Sequence, residues 1–330
     1  MERPEKICQM DERRIIPFFR PSLGKKELDE AIRIIQSGYM TQGAETRKLE
    51  EEFKHYVGSK YAIAVDSCTN GLFLALKYNE IGEGDVVAIP SLTFASVANV
   101  ILHTGARIKW EDEIYVGFAY QLKNNRPFRV VDSAHQLEWG IYRDFSESLM
   151  VFSFYPTKQI CSAEGGMICL NDHYAMEWLE KARWHGRKGG GFKYEIQMPG
   201  WKFNMTDLQA VIARMQLRKL DRMNRQRQHI VNYYNRELGK DNRSLHLYTI
   251  DMVERDAFIS FADSRGVNCS VHFYTPLHKQ PAYEAVSYGL PKTEQKAANT
   301  VSLPLYPDMQ KEEVDVVVKV VKEWRDRHEG

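Results

Sequence analysis

The chain has 330 residues, 43% apolar and 27% charged, with a formal net charge of +1; that length accommodates a large domain plus a smaller one, each able to bury a core. Near-neutrality gives no reason to expect nucleic acid or an anionic membrane as the main partner, and no stretch reaches the roughly 18 apolar residues that a membrane span requires. Residues 1–15 lack the apolar run of a secretory signal, and five scattered cysteines, including Cys8, show neither CxxC nor metal-ligand spacing, so the expectation is a cytoplasmic protein with reduced thiols and no metal.

Taken in chain order, residues 25–37 (KKELDEAIRIIQS) put Leu28, Ile32 and Ile35 on one face of a helix that Gly38 ends. A second helix is expected over 45–57, then a buried strand at Tyr61–Val65, the turn Asp66–Gly71 and an apolar helix, Leu72–Lys77. Strands recur at Val86–Ile89, Arg107–Trp110, Phe128–Val131 and Leu149–Phe154, most ending at a polar or small-residue turn. Residues 205–236 read as one long helix, with Leu208, Ile212, Met215, Leu220 and Met223 at apolar spacing. Its arginines at 214, 218, 222, 225 and 227 are expected to form a solvated face. A shorter α/β pattern follows and ends in the amphipathic helix Lys311–Arg327. Alternating helices and strands predict an α/β fold with a mostly parallel sheet. The division is placed near residue 225, giving a large domain over 1–225 and a small C-terminal one over 226–330.

Chemistry concentrates where strands end, because an open parallel sheet gathers its ligand site there. The strand at 149–154 runs into Ser153, Tyr155 and Lys158, then Glu164-Gly165-Gly166. Desolvation lowers a lysine's pKa, and a neutral amine is what forms a Schiff base; a lysine snorkelling to the surface remains open on this stretch alone. Asp132 ends the strand 26 residues earlier and is followed by Ser133, Ala134 and His135. A carboxylate there can simply cap a helix, but paired with Lys158 it matches what pyridoxal phosphate needs. The lysine holds the aldehyde carbon, and the aspartate keeps the pyridine nitrogen protonated so that the ring acts as an electron sink. His135 is placed beside the cofactor's ring oxygen or against Asp132, with a structural histidine as the alternative. The N–H groups of Thr69 and Asn70, opening an apolar helix, offer a phosphate cradle; alone, they read equally as an ordinary capped helix. Phe94, just past another strand end, is either a ring that stacks on the pyridine or part of the core.

Together these residues carry a resemblance. The segments SGYMTQGAETRKLEEEF, DSCTNGLFLAL, IPSLTFASVANVI, VVDSAHQL, FSFYPTKQICSAEGGMI, WKFNMTDLQAVIARMQLRKLD and VHFYTPLHKQPAY occur in the order seen in the DegT/DnrJ/EryC1/StrS sugar aminotransferases. The chain resembles that family over nearly its whole length. The resemblance implies fold type I, with a mostly parallel sheet between helices, and pyridoxal 5'-phosphate as cofactor. It implies transfer of an amino group from glutamate or glutamine, through pyridoxamine phosphate, to a nucleotide-linked keto-deoxysugar. Lys158 would be the Schiff-base lysine and proton shuttle, and Asp132 the pyridine partner. Thr69, Asn70 and Ser153 would hold the phosphate, Phe94 would stack on the ring, and His135 would lie near the cofactor. In WKFNMTD, Asn204 and less directly Lys202 would reach the phosphate of a neighbouring subunit, so the implied unit is a homodimer. His278 would sit near the site mouth, and His185 lies in a basic glycine-rich loop (Arg183–Gly191) expected at that mouth. Trp184, Phe192, Tyr194, Trp201 and Phe203 in 182–204 make a stretch that a monomer would struggle to bury, which also points to an interface.

Two departures stand out. Gln159 follows Lys158 where the family usually has Asn, and residues 112–127 are far shorter than the family's region, retaining one strand candidate at Ile114–Phe118. The cofactor residues all lie outside that segment, so its contraction is expected to reshape the substrate site and leave the cofactor alone. Relatives acting as deoxysugar dehydratases carry His in place of the lysine, and Lys158 argues against that chemistry. Its retention with Asp132 also argues against a decayed, cofactor-binding regulatory protein.

Overall fold

The computed structural model describes residues 15–190, 193–283 and 288–328; Cys8 and Phe192 lie outside them. Helices α1 (Lys25–Ser37) and α2 (Ala44–Val57) lead into β1 (Tyr61–Val65), α3 (Cys68–Tyr78), β2 (Val86–Pro90), α4 (Ala95–His103) and β3 (Arg107–Glu111). Strands β4 (Tyr120–Leu122), β5 (Arg129–Asp132), β6 (Ser148–Ser153) and β7 (Gly166–Leu170) follow, then α5 (His173–Ala182). The hairpin β8 (Arg187–Gly190) and β9 (Lys193–Ile196) precedes the long helix α6 (Asp207–Leu238). Beyond it lie β10 (Tyr248–Asp251), α7 (Arg255–Ser264), α8 (Pro291–Asn299), β11 (Thr300–Leu303) and α9 (Lys311–His328).

Five strands pair in the order β1-β7-β6-β5-β4, and a bridge between Ala88 and Lys123 joins this sheet to the parallel pair β2-β3. Strands β1, β2, β3, β5 and β6 run one way, while β4 and β7 run against them. Period-two alternation feeds both faces. Ile63, Val65, Leu149 and Val151 join the core under α3, α4 and α5. Their neighbours Ala62, Ala64, Met150 and Phe152 join the core under α2 and the first half of α6. A third core packs Val231, Tyr234 and Leu238 of α6 with β10, β11, α7 and α9. Residues of α6 up to Met223 belong to the second core and those from Ile230 to the third. Ile16 joins the third core as well, through a bridge to Val267.

Packing turns one apolar stripe outward and corrects two expectations. On α1, Leu28, Ile32 and Ile35 face solvent at 59%, 42% and 55% exposure. The side turned inward carries Ile34 and Glu27, and Lys219 and Gln216 of α6 bind the Glu27 carboxylate at 2.6 and 2.8 Å. The contracted segment has its strand at Tyr120–Leu122 rather than Ile114–Phe118, because backbone pairing with β5 starts only opposite Asp132. The arginines of α6 do not form one solvated face. Arg218, Arg222 and Arg225 are exposed, but Arg214 is buried between Glu45 and Glu52. Arg227 is buried too, and donates to Asn224 and to the Gln159 carbonyl.

Candidate active site

The carboxyl ends of β1, β2, β5 and β6 open on the same edge of the sheet, and a cleft of about 600 Å³ lies there. Lys158, Asp132, His135, Ser153, Thr69 and Phe94 all line it. Register explains the convergence. β5 and β6 are parallel neighbours with Asp132 opposite Val151, so the turn after Ser153 brings Lys158 over the end of β5. That turn closes with Lys158 N donating to Tyr155 O at 2.9 Å.

Burial works against both charges. It pulls the Lys158 amine below its ordinary value while the nearby Asp132 pulls the other way, and it pushes the Asp132 carboxyl up against the opposing effects of Ala134 N–H, Lys158 and Tyr120. Ala134 N donates to Asp132 Oδ1 at 2.9 Å, and Tyr120 Oη donates to Oδ2 at 3.3 Å. His135 sits well below the usual histidine range, first through burial and then through the Lys158 charge. Its Nδ1 accepts the Gly117 N–H at 3.3 Å, so in the neutral ring the proton is on Nε2. The His246 ring lies tilted against His135 with centroids 4.8 Å apart, and the His272 ring lies edge-on to it at 6.5 Å. His246 and His272 come from segments more than 100 residues after His135, and His246 lies in none of the segments that carry the resemblance.

At the other end of the cleft, Ser67 caps α3 and its Oγ accepts the Asn70 N–H at 3.2 Å. Ser67, Cys68 and Thr69 line the cleft, but Asn70 does not; its amide is turned to Asp66 at 2.8 and 3.1 Å. The first turn of a helix leaves N–H groups without intrahelical partners, which suits an anion. Gly166 brings β7 close beneath this turn, where an added Cβ would lie 2.7 Å from Cys68 N and 2.8 Å from Phe152 O. Phe94 is 62% exposed at the cleft wall, not packed in the core. An amine, a carboxylate, an exposed aromatic face and a helix N-terminus lining one cleft fit pyridoxal phosphate.

Besides Asn70, four residues singled out from the sequence do not line the cleft. His278 is buried, with Nδ1 2.6 Å from Ser91 Oγ and Nε2 3.3 Å from Glu294. His185 is exposed at the turn before β8. Asn204 is buried, with its backbone bridged to Val65 and its side-chain oxygen taking a hydrogen bond from Lys202, which is exposed. In the 182–204 stretch, Trp201 and Phe203 pack on Phe73, and Arg187 covers Trp184. Tyr194 stays 50% exposed and residues 193–197 are exposed throughout, so this chain alone leaves much of that stretch uncovered.

The contracted segment, expected to leave the cofactor alone, contacts two of the residues expected to hold it. Tyr120 reaches Asp132, Gly117 reaches His135, and Ser244 Oγ in turn donates to Gly117 O at 2.9 Å. Antiparallel pairing of β4 with β5 makes this unavoidable, since it sets Tyr120 directly opposite Asp132.

The model of the DegT/DnrJ/EryC1/StrS aminotransferase family matches residues 21–112 and 144–322. It passes over 113–143, the contracted segment together with Asp132 and His135. The spore coat polysaccharide biosynthesis protein SpsC of Bacillus subtilis (strain 168) is 31% identical, over 93% of this chain and 96% of its own. The aminotransferase TlmJ of Streptoalloteichus hindustanus superposes with a TM-score of 0.83 at 25% identity, over 95% of this chain and 99% of its own. Spr1654 of Streptococcus pneumoniae, solved in PMP and PLP forms, gives TM-scores of 0.83 at 23% and 24% identity, each over 95% of this chain and 98% or 99% of its own. With the cleft chemistry and a match spanning most of its length, the chain belongs to the DegT/DnrJ/EryC1/StrS aminotransferase family, the pyridoxal-phosphate-dependent sugar aminotransferases.

Proposed function

We propose that the enzyme moves an amino group from glutamate or glutamine to a keto-deoxysugar carried on a nucleotide, and that it works in the cytoplasm as a homodimer. The observation that carries this reading is the placing of Lys158 and Asp132 in one cleft at the ends of adjacent parallel strands. Pyridoxal phosphate, when bound, supplies the electron sink for breaking and making the bonds at the amine-bearing carbon. Lys158, with its amine biased toward the neutral form, holds and moves the proton at its Nζ. Asp132 Oδ atoms would hold the proton on the ring nitrogen, and His135 Nε2–H would be free to donate to the ring oxygen. Ser67, Thr69 and Ser153 would bind the phosphate, and Phe94 would stack on the ring. The name of SpsC supports a surface-polysaccharide amino sugar as the product class.

The division near residue 225 is kept, within α6, with Ile16 joined to the smaller unit on the strength of its packing. Two features support a second copy. Leu28, Ile32, Ile35, Tyr39 and Met40 leave an apolar surface exposed along and just past α1, and family resemblance assigns Asn204 to the partner's phosphate. The four cysteines among the described residues are unpaired, and no described helix is long and apolar enough to cross a membrane.

Borohydride treatment of the holoprotein and peptide mapping should place the pyridoxyl label on Lys158; a label on another lysine removes the assignment. Screening nucleotide-linked keto sugars with labelled glutamate tests the reaction, and failure of every such sugar in a holoprotein that accepts free sugars would remove the nucleotide. For the dimer, mixing inactive Lys158→Ala and Asn204→Ala chains should restore activity through one lesion-free site per mixed pair. Mixed dimers without activity would place Asn204 in its own chain's site.

A further inference from the structure

Between Asp112 and Pro127 the chain carries one buried hydroxyl directed at the carboxylate on which the chemistry depends. Tyr120 lies opposite Asp132 across the antiparallel pair β4-β5, and residues so opposed project from the same face of a sheet. Its Oη donates to Asp132 Oδ2 at 3.3 Å, while Ala134 N occupies Oδ1 at 2.9 Å. Thr93 Oγ1 is 2.6 Å from the same Oη. A phenol has one proton to give, and here it goes to the carboxylate, so Thr93 donates to Tyr120 and the line Thr93–Tyr120–Asp132 points its donors one way. Tyr120, Thr93 and Asp132 are all buried. Tyr115 stacks on the Tyr120 ring with centroids 5.7 Å apart and holds it in place.

We propose that Tyr120 is a positioning residue for transamination, holding Asp132 ionised and oriented toward the cofactor's ring nitrogen through the Thr93–Tyr120–Asp132 hydrogen-bond line. The inference rests on Asp132 being the ring-nitrogen partner. Each Asp132 oxygen receives one donor, and both donors favour the charged form over a protonated one that would have to turn its own hydrogen away from them. Burial opposes that form, so removing the phenol tips the balance. The contracted segment thereby does something beyond closing the sheet: it supplies a hydrogen bond directly to the residue that governs the ring.

The test compares Tyr120→Phe, Thr93→Val and Asp132→Asn with the unaltered enzyme. Phenylalanine keeps the stacked ring, and Thr93→Val removes the outer donor without touching Tyr120, which covers the case of a misfolded Tyr120 variant. Two readouts are independent of turnover: the carbon-13 titration of Asp132 in cofactor-free protein, and the nitrogen-15 shift of the ring nitrogen in protein loaded with labelled pyridoxal phosphate. Tyr120→Phe should raise the pH at which Asp132 titrates, move the ring nitrogen toward its unprotonated shift, and lower kcat by about tenfold to a hundredfold with KM unchanged. Thr93→Val should shift both signals the same way by less. If Asp132→Asn moves the ring-nitrogen signal and Tyr120→Phe moves neither, Tyr120 only fills space and the proposal fails. If Asp132→Asn itself leaves the ring nitrogen unchanged, the reading of Asp132 falls and the role of Tyr120 falls with it.

Discussion

Replacing Gln159 by alanine should loosen the active site from behind, and the structure sets the size of the effect. The Gln159 side chain binds Leu137 at both ends: Oε1 accepts Leu137 N–H at 2.6 Å and Nε2 donates to Leu137 O at 3.0 Å. Nε2 also donates to Asn224 Oδ1 at 3.1 Å. Leu137 closes the loop that carries Asp132 and His135, Gln159 adjoins Lys158, and Asn224 is on α6, so one amide ties the two catalytic loops to the long helix. In the alanine variant Leu137 O keeps Asn224 Nδ2 at 3.2 Å, and Asn224 Oδ1 keeps Arg227. Leu137 N–H loses its partner in a buried place. An orphaned buried donor costs about 1–3 kcal/mol, and the vacated side-chain volume brings the total to about 2–4 kcal/mol. At about 2 °C per kcal/mol for a chain of this size, the melting temperature of the cofactor-free protein should fall by about 4–8 °C in differential scanning calorimetry. Gln159→Asn, shorter by one methylene, cannot span both partners and should fall between the two. A drop below about 1 °C for the alanine variant would mean that water or a backbone shift satisfies Leu137, and the brace would be refuted.

Gly166→Ala forces a methyl group against backbone atoms on two sides, Cys68 N and Phe152 O, and pushes the start of α3 away from β7. Pyridoxal phosphate should dissociate with a Kd raised about tenfold or more, an overpacking cost of about 1–3 kcal/mol; an unchanged Kd in equilibrium dialysis would remove the α3 N-terminus as the phosphate cradle. The His272 ring titrates in the folded protein at about 4, chiefly through burial and then through the Lys158 charge, against about 6.5 when unfolded. Between those values the unfolded chain binds a proton that the folded one refuses, so stability should fall as pH drops from about 6.5 toward 4 and be flat above. Thermal scans across that window should show a shallower fall for His272→Gln, and an unaltered slope would mean that another group carries it. Gly117 has φ +92°, and a Cβ there would lie 2.6 Å from Ser244 Oγ; Gly117→Ala should therefore disturb the nitrogen-15 signals of the His135 ring, whose Nδ1 depends on the Gly117 N–H. An unchanged pair of ring-nitrogen shifts would show that His135 holds its tautomer without that segment.

Much of the site was legible in the chain because strand ends are local features. An apolar run of five or six residues broken by a polar one marks where the sheet stops, and Asp132, Ser153 and Phe94 each sit at or just past such a break, with Lys158 one turn further. Continuous apolar runs rather than alternation marked the central strands, since β1 and β6 have both faces buried. What covers a face was not legible. The stripe on α1 announces an apolar side, but a helical period carries no information about the neighbour, and the tertiary packing gave α6 to Glu27 and Ile34 instead. The direction of β4 was equally hidden. Three residues of strand fit either orientation, and only pairing with β5 decided that the contracted segment would run backward and set Tyr120 against Asp132. Arg214 and Arg227 looked like their exposed neighbours on the same helix, and their burial follows from carboxylates and amides more than 60 residues away. His246 and His272 stand beside His135 only because the smaller unit folds back over the sheet edge, a contact between segments over 100 residues apart that no local pattern encodes.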